Sequence, residues 1–279
     1  MRTHPLGLPG RRPMIAVAVL LTALAVLSPL AGTPRADAAT SRYLQPVTTI
    51  KPNEGCIYLT PGMNGVKVKM VQRRLGFSSR TWETMDSATV AAVRRFQSRK
   101  GLHVDGVVGP KTWAKMGFDA GFCMDRWTAK VALGLGAAPA QRRDQMIEFA
   151  RRYLGSEYVW GGAGTPNRGI DCSGLVLQAL YSAGLDPRPI SVDKHVRPAY
   201  RTSRELYIHD GLRHVKRSEK RRGDLIFYEK NSTGRVNHVA IYLGGGRMLE
   251  AVEPRVHVTR VVTYRSTQTM KPTVVRPFA

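Results

Sequence analysis

The sequence has little acidic charge, few cysteines and no long apolar run, and each shortage excludes a class of protein. Only 20 Asp and Glu accompany 43 Lys and Arg among 279 residues, so the formal charge is +23. Three cysteines are too few for a scaffold built on disulfides, and an odd count leaves at least one thiol without an intramolecular partner. Hydrophobic residues make up 43%, which is too many for a disordered chain, and the length suits one large domain or two ordinary ones.

The first 38 residues have the pattern of an export signal. Arg2, Arg11 and Arg12 precede an apolar stretch at 14–27, and the small residues Ala36-Asp37-Ala38 follow it. This stretch is shorter than the ~20 residues that a membrane-spanning helix needs, which disfavours the alternative of a membrane anchor. We therefore expect cleavage near Ala38 and no transmembrane anchor afterwards.

The excess of basic residues predicts anionic partners. For an exported protein, anionic polymers or phospholipid surfaces fit better than nucleic acid, so we expect no nucleic-acid partner. The stretch 213–222 contains six Lys and Arg and is a candidate for such contacts. A solvated insertion is the alternative there, and charge that serves only solubility is the alternative for the whole chain.

Residues 54–118 are predicted to form three short helices. The apolar positions at helical spacing are Val68, Val71, Leu75, Val90, Val93 and Phe96. Asp86 is a candidate N-cap for the second helix, and Gly109-Pro110 opens the third at a position where the missing proline N–H costs nothing. A domain of this size buries little surface.

The motif residues of this region resemble a known wall-binding module. Ala92-Val93-x-x-Phe96-Gln97 is followed by Asp105-Gly106-Val107-Val108-Gly109-Pro110-x-Thr112-Trp113. This pattern is similar to the three-helix peptidoglycan-binding module of many wall hydrolases, over about 54–117, and we place the domain at 45–123. The family often has an Asp-Gly turn before its second helix, but the stretch 82–86 lacks the glycine. The resemblance implies peptidoglycan binding, with a structural spacer as the alternative.

Two cysteines, Cys56 and Cys123, flank the module. An exported domain with a small core gains from a crosslink, and closing a loop of this length stabilises it by about 4 kcal/mol in the chain-entropy model. We predict a Cys56–Cys123 disulfide, with two unrelated thiols as the alternative, and a free Cys172. Residues 124–140 are expected to be a linker, part of which could instead form a short helix on the second domain.

The free cysteine is predicted to lie at the start of a helix. Asp171-Cys172-Ser173-Gly174 precedes an apolar run that closes at Gly184. A helix N-terminus favours an anion, so this position should lower the pKa of the thiol and its N–H groups could bind an oxyanion. An amphipathic helix at 141–154 and a strand at 158–162, ending in glycines, are expected upstream.

A cysteine nucleophile needs a base, and His238 lies in the predicted strand 237–243. A glycine turn leads to a second strand that contains Glu250. If the loop has three residues, position 240 pairs with 250, and Glu250 lies diagonal to His238 on the same face. A two-residue turn would place it on the opposite face. Glu250 as the residue that orients the imidazole is therefore a geometric hypothesis.

Four motifs in order resemble the NlpC/P60 family of cell-wall cysteine peptidases. They are Tyr158-x-Trp160-Gly161-Gly162, Asp171-Cys172-Ser173-Gly174, Gly223-Asp224-Leu225-Ile226-Phe227 and His238-Val239-Ala240-Ile241-Tyr242-Leu243-Gly244. The resemblance implies a papain-like α+β catalytic domain at 141–279, in which a helix carrying the cysteine packs on an antiparallel sheet, behind the small all-α domain.

The same resemblance implies the site residues. Cys172 would be the nucleophile, His238 the base and Glu250 the third member, where the family most often has His. Tyr158 would line the site near the oxyanion, and Asp171 and Ser173 would line the substrate pocket, although both could equally be helix N-caps. No metal-ligand spacing is present, so we expect neither metal nor cofactor.

These expectations define a leading function and its alternatives. The resemblance implies a secreted, wall-located peptidoglycan endopeptidase, expected to be a monomer, that cuts the stem peptide between D-γ-glutamyl and the diamino acid. The alternatives are an amidase or acyl transferase of the same fold, a non-catalytic or latent wall-binding protein, and a nucleic-acid or membrane binder driven by charge.

Overall fold

The computed structural model describes residues 1, 42–45, 56–78, 83–192 and 201–279, with only the backbone described for Arg126. The chain divides into two units, Met1–Thr33 and Pro34–Ala279, and every element below lies in the second. Apart from Met1, the predicted signal peptide at 1–38 lies outside the described residues. Among the helices that are described, none is long and apolar enough to cross a bilayer.

Three short helices form the first domain of the second unit. They are α1 (Val66–Arg74), α2 (Ser87–Arg99) and α3 (Pro110–Met116). Asp86 caps α2, because its carboxylate accepts a hydrogen bond from the Thr89 N–H at 2.7 Å. The core consists of Leu59, Met63, Val68, Val71, Met85, Val90, Val93, Phe96, Val108, Trp113 and Met116. The predicted three-helix domain is confirmed.

Glu83 occupies the turn before α2 that lacks the family's glycine. Its φ is 30°, a positive value that is uncommon outside glycine. Its carboxylate accepts a hydrogen bond from Lys69 Nζ at 3.1 Å, and its carbonyl accepts one from the Gly65 N–H at 3.1 Å. These two contacts hold the turn in a conformation that glycine would adopt without strain.

A disulfide closes the first domain, and a packed segment leads from it to the second domain. Cys56 and Cys123 are joined, with their Cα atoms 5.0 Å apart. Beyond them, the Gln178 side chain accepts a hydrogen bond from the Ala129 N–H at 2.8 Å and donates one to the Trp127 carbonyl at 3.1 Å. Ala129 is part of the core of the second domain. Part of the segment expected to be a linker, around 127–131, is therefore packed on the second domain.

The second domain packs helices on one face of an antiparallel sheet, as the α+β prediction required. The helices are α4 (Pro139–Arg151), α5 (Cys172–Ser182) and α6 (Ser203–Tyr207). The strands are β1 (Arg213–Lys216), β2 (Leu225–Lys230), β3 (Arg235–Gly244), β4 (Arg247–Val252), β5 (Arg255–Arg260), β6 (Gln268–Met270) and β7 (Thr273–Arg276). Their order is β1-β7-β2-β3-β4-β5, with β6 also beside β2. α5 is buried along its whole length between α4 and β3.

Two local predictions are corrected. The expected strand at 158–162 is absent, because the Gly162 N–H donates to the Val159 carbonyl at 2.8 Å and turns the chain. Tyr158 forms only an isolated bridge with Ile170. The helix expected at 141–154 is α4, which starts earlier because the Gln141 side chain accepts a hydrogen bond from the Ala138 N–H at 2.8 Å.

The β3–β4 hairpin has the register that a three-residue loop predicts. Ile241 pairs with Leu249 and Tyr242 with Met248, which places position 240 opposite 250. The tip itself closes with Gly244 opposite Arg247, and a β-bulge between Tyr242 and Gly244 takes up the extra residue. The bulge therefore keeps His238 and Glu250 on the same face of the sheet.

Candidate active site

Cys172 is the first residue of α5, and Asp171 is the N-cap of that helix. The cysteine is 8% exposed. The backbone N–H groups of Val239 and Ser173 act on the sulfur in the direction that lowers its pKa. Val239 is next to His238 on β3, so the nucleophile candidate lies beside that strand.

The pKa of Cys172 differs in direction from the sequence prediction. Burial, followed by the negative charge of Asp171, raises the pKa of the thiol to about 12. The Val239 and Ser173 N–H groups and the Arg201 charge act in the opposite direction but are outweighed. The prediction of a lowered pKa was wrong, because the helix N-terminus lies in the core, where desolvation disfavours the thiolate.

His238 and Glu250 form a buried pair. His238 Nε2 lies 2.7 Å from Glu250 Oε2, and the two side chains are 5% and 3% exposed. A carboxylate only accepts, so Nε2 carries the hydrogen and Nδ1 keeps a free lone pair. Among the described residues, no hydrogen bond engages Nδ1, so this nitrogen can accept a proton.

Glu250 is ionised in spite of its burial. Burial alone would raise its pKa, but the hydrogen bond and charge of His238, together with those of Arg265, lower it below the usual value. An ionised Glu250 fixes the imidazole tautomer and can stabilise an imidazolium.

Arg265 is a component of the site that the sequence analysis missed. Its Nη2 donates to Glu250 Oε2 at 2.8 Å, so the oxygen that accepts from His238 also accepts from Arg265. The sequence contains no signal for this contact, since Arg265 is one of 43 basic residues and belongs to none of the quoted motifs.

Asp171 and Ser173 are engaged inside the protein. Asp171 accepts from the Gly174 N–H at 2.7 Å and from Arg201 Nη1 at 2.7 Å, and Ser173 Oγ donates to it at 3.2 Å. Arg201 and Asp171 are each 7% exposed at the side chain. Asp171 therefore caps α5, Ser173 donates to that cap, and contact of either residue with substrate stays a prediction. Arg201 is a second residue that the sequence analysis missed.

Tyr158 lies beside the nucleophile candidate. Its ring packs against the main core, and burial, followed by the charges of Cys172 and Asp171, raises the pKa of its phenol. The phenol therefore stays protonated at any working pH and can donate a hydrogen bond. A role near an oxyanion is consistent with this position and stays a prediction.

The three-helix domain contacts the segment that leads to this site. Lys69 Nζ and Arg73 Nη2, both on α1, lie 2.7 and 2.8 Å from Glu157 Oε1. A side chain at Gly161 would collide with Asn64. The Gly161 N–H donates to the Asp171 carboxylate at 2.9 Å. Asn64 of the first domain therefore lies against a residue that is hydrogen-bonded to the N-cap of the helix that starts at Cys172.

Within the described ranges, no group of three or more His, Cys, Asp or Glu is placed to hold a metal ion. The expectation that the protein needs no metal or cofactor stays a prediction. What the site offers chemically is a buried thiol, an imidazole with a free Nδ1, and a carboxylate fixed by an arginine.

Comparisons with known proteins match both domains. Residues 155–276 match the model of the NlpC/P60 family, and residues 64–116 match that of a peptidoglycan binding domain. The probable endopeptidase YafL of Escherichia coli K12 is 37% identical over 105 residues, which are 38% of this chain and 37% of YafL. Peptidoglycan endopeptidase RipA of Mycobacterium tuberculosis is 33% identical over 201 residues, which are 68% of this chain and 37% of RipA.

The chain therefore spans well under half the length of these curated relatives. Among solved structures, the P60 domain of an antigen from M. avium subspecies paratuberculosis is 30% identical with a TM-score of 0.39, and the match covers 50% of this chain and 98% of that domain.

Proposed function

We propose that this chain, which carries an NlpC/P60 domain at 155–276 behind a peptidoglycan-binding domain at 64–116, is a peptidoglycan endopeptidase with Cys172, His238 and Glu250 as its catalytic residues. One observation carries the proposal. His238 Nε2 lies 2.7 Å from Glu250 Oε2, on the strand whose Val239 N–H acts on the Cys172 thiol to lower its pKa.

The raised thiol pKa determines how the reaction would begin. With a pKa of about 12, Cys172 is protonated at rest. His238 Nδ1 therefore acts as a general base that takes the thiol proton while the sulfur attacks the amide carbonyl. The imidazolium that forms is stabilised by ionised Glu250.

The later steps use the same groups. The negative charge on the carbonyl oxygen is stabilised by the Cys172 backbone N–H at the start of α5 and by the Tyr158 hydroxyl. Protonated His238 then donates to the leaving amine, the amine departs, and a thioester to Cys172 remains. Water, deprotonated by His238, hydrolyses the thioester and regenerates the thiol.

The bond proposed for cleavage is the one between D-γ-glutamyl and the diamino acid of the stem peptide. The family resemblance implies this bond. It is further supported by the name of a Bacillus cereus relative, a gamma-D-glutamyl-L-lysine dipeptidyl-peptidase that is 32% identical over 114 residues, 40% of this chain.

The proposal places the protein outside the cytoplasm, at the cell wall. Residues 1–38 would be removed on export, and the domain that contains α1–α3 would bind peptidoglycan. The formal charge of +23 suits contact with anionic wall polymers, and neither nucleic acid nor a second copy of the chain is required.

The test uses the chain from Ala39 onward and its Cys172→Ala variant, both incubated with purified peptidoglycan, with released fragments identified by mass spectrometry. We expect wild type alone to release fragments cut within the stem peptide, and their masses name the bond. Release of whole stems from the sugar would indicate an amidase instead. Equal release by Cys172→Ala would refute the thiol mechanism, and binding without release by either protein would indicate a wall-binding or latent protein.

A further inference from the structure

We propose that Arg265 is a positioning residue for the proposed Cys172–His238–Glu250 site, which it serves by holding Glu250 ionised and aimed at His238. The inference rests on the proposed function and deepens it. It assigns a role to a side chain that no motif marks and that does not itself reach the thiol.

The geometry of one carboxylate oxygen supports this role. Glu250 Oε2 accepts from His238 Nε2 at 2.7 Å and from Arg265 Nη2 at 2.8 Å. Glu250 is 3% exposed and Arg265 is 20% exposed at the side chain. A buried carboxylate is costly unless it is paired, and hydrogen bonds from charged donors are the strongest pairing available.

Arg265 is itself held in place from two sides. Its guanidinium carbon lies 4.1 Å from the centre of the Tyr228 ring, and its backbone N–H donates to the Gln268 carbonyl at 2.8 Å. The Tyr228 hydroxyl donates to the Val262 carbonyl at 2.8 Å, which fixes the loop between β5 and β6. The cation is therefore pre-organised and does not need to be recruited by substrate.

Four titratable or charged groups face Glu250 from neighbouring elements. They are Tyr228 on β2, His238 on β3, His257 on β5 and Arg265 in the loop after β5. His257 Nε2 lies 3.6 Å from Glu250 Oε1, a longer contact from a side chain that is 40% exposed. Arg265 is thus the permanent cation of this group, and His257 contributes a charge only when protonated.

The consequence for the base has a definite sign. Arg265 lowers the pKa of Glu250, so without this cation Glu250 holds its proton to higher pH. Ionised Glu250 then fixes the imidazole tautomer in which Nδ1 can act as the base only at higher pH. A merely structural arginine would not move this limb of the pH profile.

The experiment measures alkylation of Cys172 by iodoacetamide as a function of pH, in parallel with peptidoglycan hydrolysis. The variants are R265M, which keeps the packing on Tyr228 without the charge, and R265K, which keeps the charge. R260M is the matched control, because Arg260 is an exposed arginine at the end of β5. R265Q serves as a second neutral variant if thermal melting shows that R265M is unfolded.

We expect the acid limb of the alkylation profile to move up by about one pH unit or more in R265M and R265Q, since a hydrogen bond to a charged group corresponds to roughly a tenfold to hundredfold effect. R265K should stay near wild type, and R260M should not move. In hydrolysis, kcat should fall about tenfold or more in R265M with little change in KM.

An unmoved acid limb in folded R265M and R265Q would overturn the proposal, and so would an equal shift in R260M. The two readouts separate this proposal from the proposed function. If no variant hydrolyses the wall but the alkylation profile shifts as described, the positioning role stands and the endopeptidase assignment fails. If wild type hydrolyses the wall and the acid limb does not move in the variants, the endopeptidase assignment stands and the positioning role fails.

Discussion

Alkaline pH should destabilise this protein through one buried thiol. Cys172 is 8% exposed, and its pKa is raised from 9.0 to about 12, mainly by burial. The unfolded thiol loses its proton above its ordinary pKa, whereas the folded thiol keeps it. The unfolded state then binds fewer protons, so stability falls as pH rises through this window.

The magnitude follows from the shift. Stability linked to this group is complete below about pH 9 and falls by about 1.4 kcal/mol per pH unit above it, which amounts to about 3 kcal/mol by pH 11. Cys172→Ala lacks the titrating thiol but retains the tyrosines and lysines that also titrate at alkaline pH. The variant should therefore lose about 3 kcal/mol less than wild type between about pH 8 and about pH 11.

Urea unfolding followed by tryptophan fluorescence measures both proteins at the two pH values, and refolding at the lower pH checks that the disulfide has not exchanged. Comparison across pH cancels the cost of the small cavity left by alanine. Equal losses for the two proteins would refute the reasoning. They would mean that His238 already holds Cys172 as a thiolate in the resting enzyme.

Three further outcomes are expected from other contacts. Replacing both Cys56 and Cys123 by Ser should lower the stability of the three-helix domain by about 4 kcal/mol, because the bridge closes a loop with a sequence separation of 67, and calorimetry would show an earlier transition. Arg201→Met should cost about 3–5 kcal/mol in urea unfolding by leaving Asp171 buried and unpaired, and adding Asp171→Asn should recover part of that loss; no recovery would contradict the ion-pair explanation. Glu157→Gln should remove the Lys69 and Arg73 contacts at a cost of no more than about 1 kcal/mol each, since Glu157 is 44% exposed. The substitution should also make the segment between the domains more sensitive to protease. In wild type, 0.5 M salt should increase the protease sensitivity by about the same amount, because salt screens these ion pairs.

The hairpin shows how far local pattern could reach. Alternation along β3 placed His238 on one face, and the spacing to Glu250 allowed two registers. The β-bulge between Tyr242 and Gly244 gives the strands the register of a three-residue loop. At the tip itself, Gly244 pairs with Arg247, so the turn is shorter than that register requires. The glycines after β3 predicted a turn, but they did not specify where in the hairpin the β-bulge would form.

The thiol shows where local reasoning failed. The prediction of a lowered pKa considered only the N-terminus of α5, which is a property of the local backbone. Desolvation depends on what covers that terminus, and β3 and the segment around Tyr158 are distant in the chain. The same distance explains why Arg201 and Arg265 were missed: each acts through a carboxylate 30 or 15 positions away.

The sequence by itself determined the three-helix domain, the strand that contains His238 and the position of Cys172 at a helix start, because these depend on periodicity, capping and spacing over a few residues. The strand expected at 158–162 did not form, and the β-bulge decided the register that puts His238 and Glu250 on the same face. Only the tertiary structure decided that part of the expected linker packs on the second domain, that the first domain rests against Gly161, that Asp171 is neutralised by Arg201 and that Arg265 shares an oxygen with His238. Burial and long-range ion pairs arise from the meeting of distant segments, and no local pattern records which of the 43 basic side chains will complete them.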